Sequence, residues 1–173
     1  MVATYESAST RRYKLGRVDC IRSTTMEALE WVKAMQSNED SSSEKIRKFH
    51  AAVEKQTTIM VDNILGEGID IHLLGLRQQA IELGMDVPPL FMDETFKIAN
   101  HFALSTSQLP TKHDQFMGYG AVVPDGYGAS YNPQPDSIVF CLSSFHSSPI
   151  TSTMKFRDSL QKSLDKIRAL LDQ

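Results

Sequence analysis

The sequence predicts an α/β fold, a mixed sheet flanked by helices, and three observations carry that expectation. Apolar residues recur at helical spacing in successive stretches up to Gly84. From Phe102 the pattern changes to short strand-like runs punctuated by proline and glycine. A last amphipathic stripe, Phe156, Leu160, Leu164, Ile167 and Leu171, follows them.

Taken in order, Thr24 and Glu27 have the spacing of a capping box, with Leu29, Val32 and Met35 behind them, so a helix is expected from about Thr25 to Gln36. Residues 37–44 are polar, serine-rich and without apolar anchors, which predicts a flexible loop. Ile46, Phe49, Val53, Met60 and Ile64 then trace a long surface helix that stops at Gly66. Ile71, Leu74, Ala80 and Ile81 predict a third helix, ended near Gly84 and closed off by Pro88-Pro89. Strands are expected over Phe102–Leu109, Phe116–Val123, Gly128–Tyr131 and Ser137–Ser143, in a mixed or antiparallel sheet, with the C-terminal helix packed on it.

The chain has 173 residues, 41% hydrophobic and 23% charged, which predicts one compact unit with a sizeable core. A net charge of -3 without a basic block disfavours nucleic acid as a partner. Cys20 and Cys141 are far apart and lack metal-ligand spacing, so free thiols in a reducing compartment are expected. No apolar run reaches the length of a membrane span and the first residues do not read as a secretory signal, so a cytoplasmic location is the expectation.

The candidate site is Ser105-Thr106-Ser107-Gln108. On a strand, Ser105 and Ser107 share one face and Thr106 and Gln108 the other. A buried hydroxyl without a partner costs about 1 to 3 kcal/mol, so the serine face is either wet or occupied. The glycines at 118, 120, 126 and 128 do not form a phosphate loop ahead of a helix, and their simplest use is in tight turns. Asp93-Glu94 reads as a helix cap rather than an acid/base pair, and no metal is called for.

Several separated motifs resemble the choline/carnitine O-acyltransferase family across the chain. They are Thr4-Tyr5-Glu6-Ser7-Ala8-Ser9, Gly16-Arg17-Val18-Asp19 with Ile21-Arg22-Ser23, Phe91-Met92-Asp93-Glu94, Leu104-Ser105-Thr106-Ser107-Gln108, Pro124-Asp125-Gly126-Tyr127-Gly128, Tyr131-Asn132-Pro133 and Phe145-His146-Ser147. Their order resembles the C-terminal portion of a two-domain coenzyme A-dependent acyltransferase, which makes residues 1–173 part of its catalytic unit. The resemblance implies acyl transfer between coenzyme A and a choline or carnitine hydroxyl in a tunnel between two halves, with no metal. It also implies that the catalytic histidine lies upstream in the missing N-terminal half, a required partner, so the chain alone is expected to be inactive. His50, His72, His101, His113 and His146 do not match the catalytic motif.

By resemblance, Ser107 stabilises the tetrahedral oxyanion, a donor whose loss costs about 10² to 10³ in rate. Ser105 and Tyr5 line the alcohol site with Ser7 beside them, Tyr119 faces the trimethylammonium, and Gln108 contacts the pantetheine of coenzyme A. Without the family match, local hydrogen bonding of the serines is an equally good reading, and plain packing of Tyr119 at a strand end is the better one. Carnitine carries a carboxylate that choline lacks. Carnitine enzymes resemble this chain but have threonine, Asp and threonine after the place of Arg17 and an Arg before that of His72-Leu73. Val18, Asp19, Cys20 and Ile71 stand there instead. The chain therefore looks like the choline branch, with acetyl-CoA as co-substrate and choline as acceptor. Cys20 and Ile71 resemble invertebrate members, since vertebrate choline enzymes tend to have asparagine at both places. Two alternatives stay open. His72-Leu73-Leu74-Gly75-Leu76 is also similar to carnitine acetyltransferases, with Arg17 or Arg22 as a substitute cation, and a truncated, non-catalytic binding module is the other.

Overall fold

Strands distant in sequence are brought side by side in one sheet, in the order β2-β1-β3-β4-β5. The computed structural model describes residues 1–10, 18–109, 111, 113 and 115–173. The strands are β1 (Ala3–Ser9), β2 (Val18–Ile21), β3 (Phe102–Gln108), β4 (Tyr127–Pro133) and β5 (Ile138–Ser143). The central trio β1-β3-β4 is parallel, and β2 and β5 close the two edges antiparallel. The sheet is mixed, as the sequence predicts. β1 and β2 escape sequence reading because β1 alternates small and polar residues rather than apolar and polar ones, and β2 is only 4 residues long. The expected strand over Phe116–Val123 does not form. Its backbone carbonyls are taken by side chains of β4 and β5 instead of by a neighbouring strand.

The helices are α1 (Met26–Gln36), α2 (Ser42–Leu65), α3 (Asp70–Glu82), α4 (Glu94–Ala99) and α5 (Thr153–Leu171). The N-cap of α1 is Thr25, not Thr24. Thr25 Oγ1 accepts from the Ala28 amide, while the Thr24 hydroxyl turns to that of Thr4. The serine-rich connection is shorter than expected, because Ser41 caps α2 by accepting from the Glu44 amide and residues 42–44 become its first turn. A 3-10 turn, Pro89–Met92, and the short α4 are additional elements, too brief to show periodicity. Asp93 caps α4 through the Thr95 amide, at 2.7 Å.

α2 and α5 cover one face of the sheet. Met60 and Ile64 of α2 approach Ala8 and Ile21, and the Phe156 ring of α5 lies 4.7 Å from that of Tyr127. α1 packs along α2 through Trp31 and Phe49, with ring centroids 5.1 Å apart. The core is thinner than composition suggests, since most of its fully buried apolar residues are small: Ala8, Ala34, Ala80, Ala121 and Ala129, with Cys20, Ile21 and Leu170. Leu74 of α3, Leu83 just after it, Leu90 and Met92 of the 3-10 turn and Ile98 of α4 are all more than half exposed, forming an uncovered apolar band.

Gly66 ends α2 in the left-handed region, at φ 88°, with its amide bonded back to the Asn63 and Asp62 carbonyls. Gly66→Ala is expected to lower stability by about 1 kcal/mol, read as a lower urea midpoint at unchanged slope.

Candidate active site

The parallel pairing of β1 with β3 sets Tyr5 opposite Ser105 and Glu6 opposite Thr106, and the pairing of β3 with β4 sets Ser107 opposite Ser130. Alternation brings Tyr5, Ser7, Ser105 and Ser107 out on one face. Ser105 is buried and Ser107 half-buried, and the Tyr5 and Ser7 hydroxyls are 2.7 Å apart. On the opposite face the Glu6 carboxylate accepts from the Thr106 hydroxyl and, at 2.9 Å, from the Tyr131 hydroxyl. Burial, and then the Glu6 charge, push the Tyr131 phenol well above the ordinary tyrosine value.

Tyr5, Val18 and Ile71 line one cavity of about 320 Å³, whose walls include Cys20, Phe96 and Phe102. Burial pushes the Cys20 thiol up to about 11, and both cysteines are free. Arg22 does not reach this cavity as a free cation. Its guanidinium grips Asp70 at the start of α3 through two bonds, at 2.6 and 3.0 Å, and donates to the Ala99 carbonyl and the Asn100 side chain. It also lies 5.0 Å from the centre of the Phe102 ring. Arg22 is thereby held firmly charged, chiefly by its bonds to Asp70. Arg17 falls outside the described residues. Arg77 lines the cavity, as do Asp19 and Asp70. Its place was readable from the sequence, because it stands four residues after Leu73 on the same helix face.

Ser107 and Gln108 line a groove of about 480 Å³ together with Glu6, Ser7, Ser9 and the α2 residues Met60 and Ile64. The Tyr5 hydroxyl, on the cavity, is hydrogen-bonded to that of Ser7, on the groove. Among the described residues, no histidine lines either one. Tyr119 donates through its hydroxyl to the Ser105 carbonyl at 2.8 Å, and burial raises its phenol above the ordinary value. The Glu6–Thr106–Tyr131 cluster and the Arg22–Asp70 grip were not foreseen. The one available signal for the first was a carboxylate alternating with Thr4 and Ala8 on what becomes the helix-covered face.

Residues 1–162 match the model of the choline/carnitine O-acyltransferase family, and the chain belongs to that family. It is 50% identical to choline O-acetyltransferase of Drosophila melanogaster over 99% of its own length, and 49% identical to that of Homo sapiens over 98%. Human carnitine O-acetyltransferase is 46% identical over 98% of the chain. The chain spans 27% of the length of the fly protein and 23% of the human choline enzyme. No helix among the described residues is long and apolar enough to cross a membrane.

Because the folded state retains the Tyr131 proton where an unfolded chain releases it, the stability carried by this contact is complete below pH ~10 and declines above it. In an ultraviolet titration Glu6→Gln is expected to let Tyr131 ionise at lower pH than in the parent, and an unmoved Tyr131 would break the link between the two groups.

Proposed function

We propose that this chain supplies the alcohol-binding and oxyanion groups of a choline O-acetyltransferase, which moves acetyl from acetyl-CoA to choline. The observation that carries the reading is the meeting of Tyr5, Val18 and Ile71 on one largely apolar cavity, where the Tyr5 hydroxyl bonds to Ser7 of the groove holding Ser107 and Gln108. Choline has no carboxylate, so the wall at Val18 and Ile71 need not supply a cation. Carnitine would bring a carboxylate whose burial without a partner costs several kcal/mol. Ser107 donates to the oxyanion of the tetrahedral intermediate. The groove beside Gln108 takes the pantetheine arm, and the Tyr119 ring faces the ammonium, a contact worth about 0.5 to 2 kcal/mol.

The general base on the choline hydroxyl is a histidine from the rest of the enzyme, which also covers the apolar band along α3, the 3-10 turn and α4. The assembled enzyme works in the cytoplasm. One observation favours the carnitine branch: Arg77 lines the cavity and could meet a carboxylate. Asp19 and Asp70 line it too, so the site as a whole is not cationic.

A chimera carrying this chain in place of the matching segment of the fly enzyme separates the branches. Choline is expected to outcompete carnitine, and the reverse order would overturn the assignment. Val18→Thr combined with Ile71→Arg should shift preference toward carnitine. In the same chimera Ser107→Ala should lower kcat by about 10² to 10³. The chain alone, given acetyl-CoA and choline, should make no acetylcholine.

A further inference from the structure

Residues 115–121 do not join the sheet, yet they cross it in a regular way. Asn132 Nδ2 donates to the Gln115 carbonyl at 2.8 Å, Ser130 Oγ to the Met117 carbonyl, and Ser143 Oγ to the Tyr119 carbonyl at 2.6 Å. Ser130 and Asn132 are both 2% exposed and, two residues apart on β4, share one face. Ser143 stands opposite Gly128, the next position on that face. The row Asn132, Ser130, Gly128 thus steps by two beneath Gln115, Met117 and Tyr119. The segment runs antiparallel to β4 one level above the sheet, with side-chain donors in place of a backbone ladder.

The row ends at a residue with no side chain. A Cβ at Gly128 would stand 2.6 Å from Ser143 Oγ, 3.1 Å from Tyr119 Cε2 and 3.2 Å from the Tyr119 carbonyl oxygen. The positive-φ glycines among the described residues are Gly66 and Gly84, so Gly128 is needed for space rather than for its backbone angle. Tyr119 is therefore held at both ends, its carbonyl by Ser143 and its hydroxyl by the Ser105 carbonyl, with its ring edge against β4.

We propose that Gly128, Ser130, Asn132 and Ser143 form a cradle that positions the Tyr119 ring, and are positioning residues for recognition of the substrate's quaternary ammonium group. The second half of this inference rests on the assignment of Tyr119 made above. A cation held over a ring depends on the ring's placement, because the attraction requires the charge within about 6 Å of the centroid. Residues that touch no substrate then decide how well the ammonium is bound.

Cys141 gives a local probe, because its Sγ is 3.2 Å from where a Cβ on Gly118 would stand and so lies under the crossing segment. Cys20, buried on β2 at the far side of the sheet, is the internal control. In the isolated chain Gly128→Ala and, as a milder variant, Ser143→Ala are expected to speed maleimide labelling of Cys141 by about tenfold, the size of one lost hydrogen bond, while Cys20 labelling stays unchanged. Unchanged Cys141 labelling in both variants, or equal acceleration of both cysteines in both, would overturn the cradle. In the chimera the same variants should raise the KM for choline several-fold and leave the KM for acetyl-CoA in place, with no further loss when added to Tyr119→Ala. Faster Cys141 labelling without a change in choline KM would overturn the positioning role. If Tyr119→Ala alone leaves choline KM unmoved, the ammonium assignment fails, and the labelling still decides whether the cradle exists.

Discussion

The register between β1 and β3 is the constraint on which the site depends. These parallel strands are far apart in sequence and no hairpin joins them, so the turn geometry that fixes the register of antiparallel neighbours is unavailable. A slip by one residue would send Ser105 and Ser107 to the face covered by α2 and α5. The Glu6 carboxylate, gripped by Thr106 from β3 and Tyr131 from β4, marks the correct alignment of all three strands at one point. Hydrogen bonds to a charged group contribute about 1.5 to 3 kcal/mol each, enough to select one register from its neighbours.

A second anchor fixes the wall of the cavity lined by Val18 and Ile71. Arg22 leaves the end of β2 and takes hold of Asp70, one residue before Ile71, while the Asp19 carboxylate accepts from the Ile71 amide at 3.4 Å. The start of α3 is thereby pinned to β2 at two adjacent points, the Asp70 carboxylate and the Ile71 amide. Arg22 is committed to architecture rather than to the cavity, and the apolar character of the wall follows from that use as much as from Val18 and Ile71 themselves.

Sequence reading succeeds where periodicity is long and fails where bonding is made by side chains across the fold. α2 and α5 carry many turns of apolar stripe and were legible, and β3 announced itself through its alternating serines. β1 was not legible, because its inward positions are Thr4, Glu6 and Ala8, whose reasons lie in Thr24, Tyr131 and α2 rather than in their neighbours. The segment from Phe116 to Val123 reads as a strand in sequence, but its Met117 and Tyr119 carbonyls are taken by side chains and the chain bends at Val122 and Val123. The site motifs were visible through resemblance, but the use of Arg22 was not, since one residue type serves equally as a ligand-binding cation or as a clamp.

β4 leaves almost no position free. Gly128 has no room for a side chain, Ala129 is buried against the helices, Ser130 and Asn132 are committed to the crossing segment, and Tyr131 is committed to Glu6. Val18 and the Ile71 side chain, by contrast, enter none of these hydrogen-bond networks and still face the cavity. The molecule thus separates residues that define the frame from residues that tune its contents. Substitution at Val18 and Ile71 can therefore reshape the cavity without disturbing the frame, so the lining is free to diverge while the sheet stays fixed.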